Sequence, residues 1–234
     1  MRTGIRTLVF GLLIAAASAW AAAAAWQADF TPSTFNPGVG DVVEFAVCQE
    51  CIGSVGQFRY LWDFNNDGVV DMDTDYPVAA TTFAVAEFYE VRLTVRDAGG
   101  REVTRLKGIY AGPVPVYAVR RVAEQTDGSL LVLISFYAVS ENAGPGLAES
   151  IPVGWSYVTV DPAGTFGKRD DRDDGKLVFS TGWTSLEPGT ETIYSYSLHR
   201  NYAEAAQRPR LTGKVSGYAE GRFEIFVCGE LAVP

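Results

Sequence analysis

Histidine is nearly absent from this chain, and with it the residue that enzymes use most for acid–base and metal chemistry. The 234 residues hold one histidine and three cysteines. No GxSxG, SxxK or HExxH motif occurs, and no glycine loop suited to phosphates or dinucleotides. Paired carboxylates of a glycosidase are not excluded by sequence, because folding sets their spacing. The sequence nevertheless favours a protein that is not an enzyme.

Basic side chains are scarce as well, so the chain has little with which to hold a polyanion. It carries 19 Lys and Arg against 28 Asp and Glu, a formal net charge of −9. Nucleic acids and anionic membrane surfaces are bound through a cationic footprint. We therefore expect neither as a partner.

Only the first residues approach the length of apolar run that a membrane span needs. An arginine-containing start, LVFGLLI and an alanine tract are typical of a signal peptide, residues 1–25. Cleavage after Ala25 is favoured, with Ala19 as the alternative. An uncleaved anchor is a further alternative, because residues 8–26 number 19, near the roughly 20 of a spanning helix. We expect a secreted protein, extracellular or periplasmic or associated with the cell envelope, without stable membrane insertion after cleavage.

The rest of the chain shows the two-residue hydrophobic period of strands and no sustained helical period. In FRYLWDF (58–64), Tyr60, Trp62 and Phe64 fall on one face, and YEVRLTVRD (89–97) alternates throughout. The pattern predicts an all-β protein, with two consecutive immunoglobulin-like β-sandwich domains after the signal peptide.

A stiff, proline-rich stretch, GPVPV (112–116), marks the predicted domain boundary. It divides the chain into a first sandwich, residues 26–112, and a second, residues 113–234. Within the second, the apolar run SLLVLISFYAV (129–139) predicts a central strand covered on both faces. GKRDDRDDGK (167–176) is interpreted as a solvated hairpin tip, with a second cation site or an ionic docking loop as the alternative.

Three segments of the first sandwich, VGDVVEF (39–45), YLWDFNNDG (60–68) and YEVRLTVRDAGG (89–100), resemble a PKD domain, the β-sandwich named after polycystic kidney disease protein. The resemblance covers residues 27–111. It departs from the family pattern at Glu87, where glycine is usual, and at Thr82, where histidine is common. It implies an extracellular role in contact with proteins or carbohydrates.

The second sandwich has a weaker resemblance to β-sandwich repeat modules of bacterial and archaeal cell-surface proteins. Two turns carry it, Ile-Pro-Val-Gly at 151–154 and Leu-Glu-Pro-Gly at 186–189. Turn chemistry alone would also select Pro and Gly at such places.

A run of oxygen side chains follows the Trp62 strand. Counted from its first aspartate, carboxylates or amides stand at positions one, three, five and nine, glycine at six and a carbonyl at seven, as in a calcium loop. The final glutamate of an EF-hand is missing, since position twelve is Thr74. We predict a structural Ca²⁺ site, and an ordinary polar turn is the alternative. Its predicted ligands are Asp63, Asn65, Asp67, Val69, Asp71 and Asp73.

The cysteines predict one local bridge. Cys48 and Cys51 can close a small disulfide in an exported protein, which leaves Cys228 free or paired with another chain. A zinc site made of the three cysteines and His199 is the less favoured alternative.

We therefore expect a secreted or cell-surface protein with a non-catalytic, adhesive or structural role, binding an extracellular protein or polysaccharide. The alternative is a carbohydrate-binding accessory protein that works beside a separate secreted hydrolase. That alternative needs an exposed aromatic platform, for which Trp155, Trp183 and Tyr76 are candidates.

Overall fold

The computed structural model describes residues 26–53, 57–173, 176–202 and 209–232. The predicted signal peptide, residues 1–25, lies outside these ranges. Within them the chain is almost entirely β, with one short helix, α1, at Gln49–Ile52. The predicted all-β fold class is confirmed.

The first sandwich places a three-stranded sheet, in the order β1-β2-β5, beside four strands in the order β7-β6-β3-β4. Its core is apolar and rich in aromatic rings; Phe30 meets Trp62 edge-on, with ring centroids 5.2 Å apart. The predicted inner face of β3 is confirmed, because Tyr60, Trp62 and Phe64 are all buried. The strands are β1 Phe30–Pro32, β2 Val42–Val47, β3 Phe58–Asp63, β4 Met72–Thr74, β5 Val78–Thr82, β6 Phe88–Asp97 and β7 Glu102–Tyr110.

The second sandwich faces a five-stranded sheet, in the order β12-β13-β10-β15-β16, with four strands in the order β11-β14-β9-β8. Its core is separate from the first and includes Phe136, Trp183 and Leu198. The strands are β8 Val116–Glu124, β9 Leu130–Ala138, β10 Ala143–Ile151, β11 Trp155–Asp161, β12 Phe166–Asp173, β13 Lys176–Gly182, β14 Glu191–Arg200, β15 Thr212–Tyr218 and β16 Arg222–Phe226.

One further strand, β17 (Cys228–Glu230), joins the two sandwiches into a continuous nine-stranded sheet. It pairs antiparallel with β7 and parallel with β8. Gly229 is needed here, because it adopts φ 80° and a Cβ would overlap the carbonyl oxygen of Arg120. Division into domains at residue 112 stays a prediction, since the sheet runs across that point.

An ionic cluster fastens β17 to the first sandwich. The buried Glu230 carboxylate lies 3.0 Å from Lys107 Nζ and 2.5 Å from an Arg105 guanidinium nitrogen, the latter contact without hydrogen-bond geometry. Lys107 Nζ also lies 2.8 Å from an Asp29 oxygen. The Glu230 carbonyl oxygen accepts a hydrogen bond from Arg120 of the second sandwich at 2.9 Å. One residue therefore links both cores.

One expectation about the second sandwich is corrected. The β9 strand is central but not covered on both faces; Leu131, Leu133 and Tyr137 are only partly buried on its outer side. After β16 the chain passes through Val227 and changes sheets to form β17. The predicted tip at 167–176 belongs to the β12–β13 hairpin, and residues 174–175 lie outside the described ranges.

Candidate functional site

The aspartate-rich loop after β3 is organised around its own backbone. Asp63 is buried, and its two carboxylate oxygens accept from the amides of Asp67 at 3.2 Å and Gly68 at 3.0 Å. Asp71 accepts from the amide of Phe64 at 2.7 Å. These contacts fold the loop back on the end of the strand.

The predicted calcium ligands Asp67 and Asp73 have partners of their own and do not face one common centre. Asp67 accepts from the Val69 amide at 2.8 Å and from Asn65, and these two bonds hold its pKa below the usual value. Asp73 pairs with Arg59 at 2.8 Å. In the described ranges no three His, Cys, Asp or Glu side chains stand close enough to hold a metal ion. Most of the carboxylates thus serve amide or guanidinium donors rather than one centre, and calcium binding stays a prediction.

Both tryptophans suggested as a carbohydrate platform are core residues, which corrects that expectation. Trp155 is 6% exposed and Trp183 is 5% exposed. Trp183 packs on Phe136 with ring centroids 4.6 Å apart, and its indole Nε1 donates to the Ala163 carbonyl at 2.8 Å. Tyr76 is exposed, as the platform hypothesis required.

The structure joins Cys48 to Cys51 with an S–S distance of 2.04 Å. Cys228 is a free thiol on β17 and fully buried. Burial raises its pKa to about 12. A buried neutral thiol is a poor ligand for zinc and a poor partner for another chain.

His199 lies beside the hydroxyl group of a serine. Its Nε2 lies 2.8 Å from Ser197 Oγ, two residues earlier on the same face of β14. A serine–histidine pair acts as a nucleophile only with donors for the developing oxyanion. β14 is hydrogen-bonded to a neighbour on each side, β9 and β11, so its amides are already engaged. We assign this pair no catalytic role.

A group of fully buried ionisable side chains lies inside the second sandwich. Arg120 donates to Glu149 at 2.5 Å, and Tyr196 donates to the other Glu149 oxygen at 2.8 Å. Burial raises the pKa of Glu149 and of Tyr196. Gly213 leaves room for this triad, because a Cβ there would overlap the Glu149 carboxylate. Arg120 and Glu149 have no exposed surface, so no substrate reaches them and their role is structural.

An open groove of about 960 Å³ lies where the two sandwiches meet, and we call it the joint groove. Asn36 of the first sandwich forms one wall; its side chain donates to the carbonyls of Tyr110 and Gly112, both at 2.9 Å. Asn142 braces the other wall through hydrogen bonds with Leu186. The walls comprise Asn36, residues 113–115, residues 139–143 and residues 218–223.

The groups that the joint groove offers to solvent are mixed in character. Tyr218 is 60% exposed and Arg222 is 71% exposed. Glu141 and Glu220 are also exposed, and Phe223 is partly buried. No sequence motif marks this groove, because its walls come from four separate segments.

In the described ranges no helix is long and apolar enough to cross a membrane. No protein-family model matches the chain, and no curated protein matches it. The PKD resemblance therefore stays a prediction.

Several solved structures are similar in fold. An uncharacterized Nocardia farcinica protein with an immunoglobulin-like fold is 18% identical, with 48% of this chain and 82% of that chain covered and a TM-score of 0.35. A structure of carbohydrate-binding modules from the β-sandwich superfamily is 14% identical, covering 89% and 98%, with a TM-score of 0.33. The major pilin SpaD from Corynebacterium diphtheriae is 11% identical, covering 75% and 58%, with a TM-score of 0.39.

Proposed function

We propose that this protein is a non-catalytic binding protein of the cell exterior that takes a segment of another protein into the joint groove. The observation that carries the proposal is the exposed Tyr218 beside Arg222 in a groove whose walls come from both sandwiches. Tyrosine and arginine are the residues most enriched where protein interfaces gain their binding energy.

The rigidity of the groove supports this use. Its two sides are connected by the continuous sheet through β17 and by the prolines Pro113 and Pro115, and Asn36 is held in the first wall by its hydrogen bonds to Tyr110 and Gly112. A groove that is already formed loses little conformational entropy when it binds. The exposed charges of Glu141, Glu220 and Arg222 would select a partner segment with complementary charge.

A photo-cross-linking amino acid in place of Tyr218 tests the proposal. The labelled protein is irradiated on intact cells of the producing organism, with Tyr76 labelled as the control, because that exposed tyrosine lies away from the groove. We expect one discrete protein adduct from position 218, none from position 76, and at least a tenfold loss on Arg222→Glu. The absence of any adduct specific to position 218 would contradict the proposal.

Carbohydrate binding is the second candidate, and the exposed Tyr218 in the joint groove favours it, whereas Trp155 and Trp183 are in the core. Retention on insoluble polysaccharides measures it directly. Retention that Tyr218→Ala abolishes and Tyr76→Ala preserves would replace the protein partner with a glycan.

Calcium is proposed as a structural ion of the aspartate-rich loop and not as part of the groove. The supporting observation is the spacing of oxygen side chains from Asp63 to Asp73. To bind the ion, several of these carboxylates must exchange amide donors for the cation.

A further inference from the structure

The free edges of the sheets differ in how they are protected. Natural proteins prevent unwanted strand pairing with short strands, charges, proline or bulges at the edges. Five of the six edges in the described sheets use such a device. β1 and β4 have three residues each, β11 and β12 are bulged, and β16 carries Arg222 and Glu224.

The sixth edge, β5, has none of them. Its sequence VAATT contains no charge and no proline, and its pairing with β2 continues without a register shift. The side chains of Val78, Ala80 and Thr82 are all exposed.

The backbone of β5 presents its free groups at the same three residues. The Pro77 carbonyl accepts from the Val47 amide at 2.8 Å, so residues 79 and 81 form the next hydrogen-bonded pairs with β2. By that alternation, Val78, Ala80 and Thr82 direct their N–H and C=O groups away from β2. A strand placed alongside would find three donors and three acceptors in an unbroken row.

We propose that β5 pairs with β5 of a second copy of this chain, antiparallel and about a two-fold axis at Ala80. In this register Ala80 lies opposite Ala80 of the second copy, and Val78 lies opposite its Thr82. All three residues then exchange both backbone hydrogen bonds, and the two three-stranded sheets become one of six strands.

The β5 edge can pair with itself about Ala80, and charge does not oppose a second copy there. The chain has a net charge of −9, so most of its surface repels another copy. The β5 edge brings no charged side chain to the axis. The nearest one, Glu44, is opposite Ala80 on β2 and thus lies one strand back from the edge. Its counterpart would lie three strand spacings away, about 14 Å, beyond the Debye length of about 8 Å at physiological salt.

The contact is small, so the dimer is of the transient class. Five residues a side is well below the roughly 20–30 residues of a standard interface. We therefore expect weak dimerisation that increases with protein concentration. Cross-linking can determine which residues of the two β5 strands lie opposite each other.

Single cysteines test the pairing in the full chain. Residues in a hydrogen-bonded antiparallel pair have Cα atoms about 5.5 Å apart, within the range of roughly 4.4–6.8 Å that a disulfide bridges. Ala80→Cys is therefore expected to give a disulfide-linked dimer on mild oxidation of a concentrated sample. Val78→Cys is the matched control. Position 78 lies opposite position 82 of the second copy, so the two new thiols are four residues apart along the strand and are expected to stay unlinked. Equal cross-linking of both variants, or of neither, would overturn the proposal.

A charge at the axis gives the second test. In sedimentation equilibrium the mass of the wild type is expected to rise toward twice the monomer mass with concentration. Ala80→Glu places two carboxylates face to face and is expected to hold the protein at the monomer mass. Ala46→Glu adds the same charge to the same exposed sheet face on β2 and is expected to leave the rise unchanged. A wild type that stays monomeric, or a dimer that persists in Ala80→Glu, would refute the two-fold pairing. The pairing would also be refuted if the β5 edge binds only a strand of another protein.

Discussion

The cores of the two sandwiches differ in the kind of side chain that they contain. The first is filled by apolar and aromatic side chains such as Phe30, Phe45 and Trp62. The second encloses a charged pair, Arg120 and Glu149, with Tyr196 bound to the carboxylate. Arg120 also reaches the Glu230 carbonyl on the strand that joins the sandwiches. The buried charge of the second sandwich is thus connected to the junction from inside its core, whereas the first sandwich reaches the junction through the ion pairs of Arg105 and Lys107 with Glu230.

This difference has an energetic consequence. Apolar burial is non-directional, so a core such as the first tolerates adjustment among side chains. A buried charge must keep its partner, because an unpaired charge in a core costs several kcal/mol. The second sandwich is therefore expected to be the more sensitive of the two to single substitutions.

Loss of Arg120 should have the largest effect on the stability of the second sandwich. Arg120→Ala leaves Glu149 buried without its cation, and we expect a loss of about 3–5 kcal/mol in the free energy of unfolding. Chemical denaturation followed by tryptophan fluorescence measures it. The exposed Arg222→Ala is the control, expected within about 0.5 kcal/mol of wild type. A double variant, Arg120→Met with Glu149→Leu, should recover much of the loss; equal damage in the double variant would contradict a charge-based cause.

Calcium is expected to stabilise the first sandwich and to leave the stability of the second unchanged. A native-state ligand at one hundred times its Kd adds about 2.7 kcal/mol to the free energy of unfolding. Thermal unfolding with Ca²⁺ and with chelator measures the effect, and Asp67→Ala should remove it. Asp41→Ala, an aspartate outside the loop, should keep it. If the Ca²⁺ shift survives intact in Asp67→Ala, the loop is not the site.

Removing the charge of Glu230 should uncouple the two sandwiches. Glu230→Gln weakens the ion pairs with Arg105 and Lys107; removing one partner of a buried pair costs about 3–5 kcal/mol, and less is expected here because Asp29 stays beside both cations. We expect a loss of about 2 kcal/mol and two resolved unfolding transitions in place of one. Glu224→Gln is the control, since its ion pair with Lys214 is exposed and worth less than about 1 kcal/mol. A single unchanged transition in Glu230→Gln would argue against the junction role.

Alkaline pH should weaken the same junction through Cys228. The folded-state pKa of about 12 exceeds the ordinary thiol pKa of 9.0, so the stabilisation is complete below pH 9 and is lost as pH rises from there. At pH 10 the loss is about 1.4 kcal/mol, one pH unit above the unfolded pKa. Melting temperatures from pH 8 to pH 10 measure it, and Cys228→Ala should flatten the slope. Parallel slopes for wild type and variant would rule out the thiol as the cause.

Local features of this protein could be predicted from its sequence. The inward face of residues 58–64, with Tyr60, Trp62 and Phe64, follows from the two-residue period, and so does the alternation of buried residues along β6. These properties depend on neighbours two residues apart along the chain. The period does not tell whether a tryptophan at the end of a strand is buried or exposed, and both Trp155, which begins β11, and Trp183, which follows β13, are buried against the prediction.

The junction, the joint groove and the unprotected β5 edge were decided by the tertiary structure alone. Arg120 and Glu230 are 110 residues apart in sequence, and Arg120 and Glu149 are 29 apart, with no motif to connect them. A short segment such as CGE becomes a joining strand only because two sheet edges stand one strand width apart. Side-chain period is local, whereas strand order and the meeting of charges depend on which distant segments the whole chain brings together.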